Sequence, residues 1–446
     1  MIRLNYILFI VLTFISCSAQ EEITIRKDIF GFATSNSFTY CDFSDSVLSN
    51  KIVQLSPRLL RFPGGAVGNF YHFNQKGYGL DFEEIDRYHS GKFPKRSRGL
   101  ESSRKKLSHN HDYIDDLIQL AKKIDSDVVL VANPFVKNDD DIIKMIDKLT
   151  LNNINVVGVE LGSELSNRSY YEKGYTINDY IVFAQRCSNR IKKKYPFIKT
   201  AVVAAPLGKK LGHRHNIWNI TLSKLDFYDA IIIHSYAKVI KGKSLDGQMI
   251  TEVNDFNNDK LKFDQYKQRA LKYLNEDYPK EIITYNKIFG KPIWVTEWNL
   301  QISKTTGNSF LQGLFVAQFL LEILSNNDLS SIHLTTFHNL AGRDISGSIF
   351  NGKNDDFEVH STFEPLTYVS EIFKKNIDTV IKEQISNNHF IYKCYEKNKE
   401  ILNYSLDWNN VQIQVNFVNN EKNLSNKIFQ SENLFDKATK EGKFNN

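Results

Sequence analysis

The chain has 446 residues, 41% of them hydrophobic and 13% aromatic, with a formal net charge of +6. That composition excludes a disordered chain, and the length exceeds one small core, suiting a barrel of about 250 residues or more with a smaller module beside it. Basic residues number 57 against 51 acidic, which excludes a generally polycationic protein, so any electrostatic field must come from local clustering.

In chain order, Arg3, an apolar stretch over 6–15 and the small residues Ser16-Cys17-Ser18-Ala19 have the pattern of a secretory signal over 1–19. The stretch is too short to span a bilayer. Cleavage before Cys17 would leave a lipid-anchored protein and cleavage after Ala19 a soluble one; either form is secreted, periplasmic or on the outer surface. The only membrane contact expected is a lipid at Cys17. Cys41, Cys187 and Cys394 are widely scattered, with no CxxC spacing, so neither a disulfide framework nor a zinc site is implied. No cofactor is expected.

Eight short apolar runs follow, over 30–33, 59–62, 127–132, 156–161, 200–204, 230–234, 292–296 and 332–337, which the composition predicts as strands. Between them lie helical patterns, such as 113–123 with apolar residues at Ile114, Leu117, Ile118 and Leu120, then 142–149, 177–194 and 310–324. Eight strands alternating with helices predict an α/β fold, a (β/α)8 TIM barrel over 27–375. After a last helix near 366–374 the period changes to two, over 389–395, 400–406 and 411–418, with Asp407-Trp408-Asn409-Asn410 as a turn. This predicts a small C-terminal antiparallel β-sandwich over 376–430, joined by a strand at 22–26. The Lys- and Asn-rich tail over 431–446 is expected to be loosely ordered.

Two glutamates stand at strand exits. Glu164 ends the fourth strand in "NVVGVELGSELSNRSYY", and Glu297 ends the seventh in "KPIWVTEWNL". In a barrel, strand carboxyl ends open on one face, so the two converge there. A lone glutamate in such a place is usually solvated. A facing pair about 5 Å apart is what retaining glycoside hydrolysis needs, one protonating the leaving oxygen while the other attacks the anomeric carbon.

"VELGSEL" and "IWVTEWN" resemble the acid/base and nucleophile motifs of clan A retaining glycoside hydrolases. Arg61-Phe62-Pro63-Gly64-Gly65, within "LLRFPGGAVGNFYHF", resembles the second-strand motif of the heparanase-like (glycoside hydrolase family 79) and arabinofuranosidase-like (family 51/39) groups. The resemblance implies Glu164 as general acid/base, Glu297 as nucleophile, and Arg61 beside the nucleophile. It also implies that His234 and Tyr236, at the end of the sixth strand, lie near the nucleophile. Trp298, and less clearly Trp294, are candidate sugar platforms. His338 and Asn339 leave the eighth strand and either contact substrate or shape the loop. One position departs from the pattern. The clan carries Asn before the acid/base, where its amide reaches the sugar 2-hydroxyl; here Ser163 stands there, a shorter side chain with one donor.

The loops on the catalytic face are basic. Lys92, Lys95, Arg96, Arg98, Arg104, Lys105 and Lys106 follow the second strand, opposed within that stretch only by Glu101. Lys209, Lys210 and Arg214 follow the fifth, Lys238, Lys241 and Lys243 the sixth, and Arg343 the eighth. Lys95, Arg96, Arg98, Arg214 and Arg343 are therefore candidate contacts for a sulfated or uronate-containing polysaccharide or its oligosaccharides. The competing reading is an ordinary solvated surface. Nucleic acid is not expected as a partner, since no recognisable module for it is present. The sequence thus predicts a retaining glycosidase for an anionic glycan, with two alternatives open: a neutral-sugar hydrolase such as an arabinofuranosidase or xylosidase, and a non-catalytic polysaccharide-binding surface lipoprotein.

Overall fold

A computed structural model describes residues 25–243, 248–252, 259–301, 303–343, 347–353, 356–418 and 425–444. The expected signal, Cys17 and most of the strand expected at 22–26 lie outside the described residues. Ile25 and Arg26 lead into a 3-10 turn, Lys27–Ile29, rather than a strand.

Eight parallel strands close into a barrel: β1 (Gly31–Ala33), β2 (Leu59–Phe62), β3 (Asp127–Val131), β4 (Val156–Leu161), β5 (Lys199–Val203), β6 (Ala230–Ala237), β7 (Ile293–Leu300) and β8 (Ile332–Phe337). Each pairs with its neighbour in sequence, and β1 closes the ring against β8. The strands are buried on both faces, which is why they carry branched apolar runs such as Val128-Val129-Leu130-Val131. Local signals set the helices between them. Asp112 accepts from Ile114 N at the head of Tyr113–Ile124, and Thr176 with Asp179 forms a capping box before Ile177–Lys194. Strands β6 and β7 run further than their apolar cores suggest, so Tyr236 and Glu297 sit inside paired strand, with His234 opposite Glu297 and Tyr236 opposite Asn299.

The C-terminal module is an antiparallel sheet of β9 (Thr379–Ser386), β10 (His389–Glu396), β11 (Lys399–Asp407), β12 (Gln412–Phe417) and β13 (Ser425–Gln430), in sequence order. Its alternate residues Phe390, Tyr392, Leu402, Tyr404, Ile413 and Val415 are buried. The helix Phe310–Ser325 lies between this sheet and the barrel, which explains its apolar circumference: every residue from 310 to 324 is buried. Polar links cross that interface: Tyr392 OH to Glu322 Oε1, Lys382 Nζ to Glu322 Oε1 and Trp408 Nε1 to Gln318 Oε1, each at 2.6 Å.

The tail is not loose through 444, contrary to expectation. Lys437 Nζ donates to the carbonyls of Lys304, Thr305 and Gly307, and Phe444 packs edge-on against Phe310 and Phe429. The polar composition hid two aromatic anchors, Phe435 and Phe444, too far apart to produce a period.

Candidate active site

The floor of the barrel mouth is one arginine shared by two carboxylates. Arg61, on β2, is fully buried; its Nε and Nη2 bind Glu160 Oε1 and Oε2 at 2.7 and 2.8 Å, and its Nη1 binds Glu297 Oε1 at 2.8 Å. A planar fork with donors on several edges can satisfy both at once, which makes burial of the charge tolerable. Thr296 Oγ1 adds a bond to Glu160 at 3.2 Å.

Glu297 is fixed at both oxygens, since Tyr236 OH donates to Oε2 at 2.8 Å. Burial would push its carboxyl up. The positive charges of His234, His338 and Arg61 outweigh this and hold it well below the usual carboxylate range. Burial, reinforced by the Glu297 charge, keeps the Tyr236 hydroxyl protonated and therefore a donor. The loop over this carboxylate needs two glycines with positive φ, Gly64 at 73° and Gly65 at 58°; a Cβ at Gly65 would stand 3.9 Å from Glu297 Oε1.

Glu164 arrives by a different route. After β4 the chain turns through Gly162 (φ 84°) and Glu164 itself (φ 52°), lifting the Glu164 carboxylate, whose side chain is 47% exposed, above the floor. Asn69 clamps that turn: its Oδ1 accepts from Ser163 N at 2.7 Å, and its Nδ2 donates to Ser163 O at 2.6 Å and Tyr170 OH at 2.7 Å. Glu164 Oε1 lies 3.0 Å from His234 Nδ1, and Oε2 accepts from Asn167 at 2.8 Å. Burial would lower the His234 pKa, but the charges of Glu297 and Glu164 raise it above its ordinary value, and the ring sits between the two carboxylates. One ligand-type atom from each of Glu164, His234 and Glu297 falls within 4.8 Å of the others. These residues could offer a cation three ligands, yet both Glu297 oxygens are already taken by Arg61 and Tyr236. The arrangement suits acid–base and nucleophilic chemistry better.

Other expected residues have mixed outcomes. Ser163 is buried, its Oγ accepting from Arg61 Nη2 at 3.2 Å, so its hydroxyl faces the arginine floor. His338 Nδ1 stands 3.7 Å from Glu297 Oε2 and 3.4 Å from Ser35 Oγ. Asn339 is buried, with its backbone paired to Gly347 and Ile349, and shapes the loop. Trp298 is not a sugar platform. Strand alternation turns it away from the mouth beside Glu297, stacked on Phe319 at 4.3 Å with Nε1 bonded to Thr335. Trp294 is likewise buried in the core.

The basic loops are less open than their sequence suggests. Arg98 is paired with Asp86 at 2.5 Å. Arg104 is buried against Glu101 and the His109 carbonyl. Arg214 donates to the Ser166 carbonyl and lies over the Tyr171 ring, and Arg343 lies over Tyr40. Lys95 and Arg96 are exposed on the helix Phe93–Lys106. Sequence reasoning gave no role to Glu160, Asn69, Thr296 or Asn167. For Glu160 there was a signal, a charge at an inward position of a buried strand; the others are ordinary until the turn at 162–164 is folded.

No protein-family model matches the chain, and no curated protein matches it in sequence. Solved structures do. A family 51 α-L-arabinofuranosidase from Bifidobacterium longum superposes with a TM-score of 0.56 at 9% identity, over 89% of this chain and 84% of that one. An α-L-arabinofuranosidase from Thermotoga maritima, in complex with arabinose, gives 0.56 at 14%, over 90% and 83%. The family 51 α-L-arabinofuranosidase from Thermotoga petrophila gives 0.53 at 15%, over 89% and 83%. At such identities the likeness is one of fold, and it extends over barrel and C-terminal sheet together.

Proposed function

We propose that the protein is a retaining glycoside hydrolase. Glu297 attacks the anomeric carbon while Glu164 gives its proton to the departing glycosidic oxygen; Glu164 then takes a proton from the water that breaks the glycosyl–Glu297 ester. One observation carries this reading: two carboxylates at the ends of β4 and β7, a few ångströms apart, one held ionised by Arg61 and Tyr236 and the other exposed at the mouth. The spacing leaves no room for the water an inverting mechanism needs between them. The likeness in fold to arabinofuranosidases agrees with it.

Exposed cations at Lys95 and Arg96 support an anionic glycan, sulfated or uronate-bearing, as substrate. The commitment of Arg98 and Arg214 to partners in the chain favours instead a neutral pentose glycan, the second reading. The apolar stretch before Cys17 supports export, with Cys17 as the lipid attachment point in an anchored form. The deciding experiment is reducing-end release from sulfated, uronate-containing and neutral polysaccharides, run beside Glu297→Gln and at high salt. Release that is lost in the variant supports the mechanism, and weakening by salt supports the anionic substrate. Turnover that survives in Glu297→Gln refutes the assignment of Glu297.

A further inference from the structure

His338 follows β8, and its backbone is tied on both sides to the strand that carries Glu297. Its N–H donates to the Trp298 carbonyl at 3.1 Å, and its carbonyl accepts from Asn299 Nδ2 at 2.8 Å. The imidazole carried by this backbone stands with Nδ1 3.7 Å from Glu297 Oε2 and 3.4 Å from Ser35 Oγ.

Asn299 has no group left for a sugar. It is fully buried; Nδ2 also reaches the Gly347 carbonyl at 3.3 Å, while Oδ1 accepts from Gln312 Nε2 at 3.0 Å and from Leu300 N at 2.7 Å. An amide has two N–H donors and an oxygen with two lone pairs, so this side chain is saturated. Gln312 is the third residue of the helix Phe310–Ser325, which Ser309 caps, and its Oε1 reaches back to Asn308 N at 2.8 Å. The C-terminal strap fixes that helix start from outside. Phe310 N donates to the Asp436 carbonyl, Leu311 N to the Leu434 carbonyl, and Asn308 bonds both backbone groups of Ala438. A chain of hydrogen bonds through Asn308, Gln312 and Asn299 therefore runs from the strap to the main chain beside Glu297, and every link in it rests on regular structure.

We propose that Asn299 is a positioning residue for the reaction, fixing the main chain of His338 and through it the place of the imidazole beside Glu297. The proposal rests on the reading of Glu297 as the attacking carboxylate. Closed to solvent, Asn299 touches no substrate; what it controls is a neighbour that faces the nucleophile. Burial works against an ionised Glu297, and the charges of His234, His338 and Arg61 outweigh it, so a displaced His338 ring weakens the hold on the reactive form.

Two arms test this. The first is a double-mutant cycle in the full-length protein, with 4-nitrophenyl arabinofuranoside, xyloside and glucuronide as probes. Asn299→Ala is expected to lower kcat by about 10–100-fold while KM stays within about threefold. Adding Asn299→Ala to His338→Ala is expected to change kcat by no more than about twofold, because the residue acts through that ring. A merely structural role would lower kcat alike in both backgrounds. The second arm needs no turnover. The His338 imidazole signal, assigned through His338→Ala, is followed by NMR in histidine-labelled protein at one fixed pH. Glu297→Gln is expected to shift this signal in the parent, and to shift it by less than about half as much when Asn299→Ala is present. Gln312→Met removes the bond to Asn299 while keeping the volume, and takes the place of Asn299→Ala in both arms if that variant folds poorly. An unchanged kcat, additive losses in the cycle, or a His338 response to Glu297→Gln that persists in full overturns the proposal. Probes left intact by the parent overturn the reading of Glu297 instead, and the NMR arm still decides whether Asn299 sets the contact between His338 and Glu297.

Discussion

Arg61 Nη1 reaches Glu297 Oε1 at 2.8 Å while the rest of the same guanidinium grips Glu160 through two bonds. Glu160 thus fixes the plane in which Arg61 meets Glu297, and the position of the carboxylate proposed to attack is set from β4, three strands away. A lysine at this position is a point charge and cannot serve both acids. Arg61→Lys is expected to lower kcat by about a hundredfold or more and, by leaving a buried carboxylate poorly paired, to cost about 3–5 kcal/mol in urea unfolding. Unchanged kcat with a stable fold would show that Glu297 does not depend on this fork.

Asn69 governs the other carboxylate. It never touches Glu164, but its bonds to both backbone groups of Ser163 hold the turn that aims the side chain. Asn69→Ala is expected to lower kcat by about 10–100-fold for glycosides with poor leaving groups, where proton donation matters most, and far less for activated aryl leaving groups. Trapping of Glu297 by a slow fluorosugar should persist. A uniform loss across leaving groups would mean that Asn69 supports the fold rather than the acid.

His72 introduces a pH dependence outside the site. It sits between Glu84 at 3.2 Å and Asp141 at 3.7 Å, tying the segment after β2 to the helix after β3. Burial would lower its pKa, but Asp141 and Glu84 raise it to about 9 from the ordinary 6.5. A raised folded value means that the stabilisation is complete below pH 6.5 and is lost as pH rises from there through about 9. In thermal unfolding, Tm should therefore decline across that window more steeply for the parent protein than for His72→Gln. Parallel pH profiles would remove His72 from the account.

These residues mark how far the sequence could be read. The eight barrel strands were legible because strands buried on both faces keep long branched apolar runs, and Glu164 and Glu297 stood out as charges where such runs end. Strand order then brought them to one mouth. Trp298 was misread because its neighbour Glu297 drew attention to the motif, although the two-residue period places adjacent side chains on opposite faces. How open Arg98 and Arg214 are was not legible, for another reason. Whether a cation is open or committed depends on Asp86 or the Ser166 carbonyl, partners that only the folded loops bring near. Asn69 was invisible for the same reason, since its significance lies in a turn that distant segments bring beside it.

The C-terminal sheet is held to the barrel by polar as well as apolar contacts, and Glu322 is their centre. Buried on the intervening helix, it accepts from Tyr392 OH at 2.6 Å and pairs with Lys382 Nζ at 2.6 Å, while Gln318 Nε2 approaches it at 3.2 Å. Removing the acid strands a buried tyrosine hydroxyl and a mostly covered ammonium, the costly half of a broken pair. Glu322→Ala is expected to destabilise the protein by about 3–5 kcal/mol, and Glu322→Gln, which keeps an acceptor for Tyr392, by clearly less. Urea unfolding followed by tryptophan fluorescence checks this, because Trp408 donates to Gln318 across the same interface and reports on its opening. If Glu322→Ala unfolds at the parent's urea midpoint, the sheet is held by its apolar face alone, and the ion pair contributes only to how the two layers are aligned.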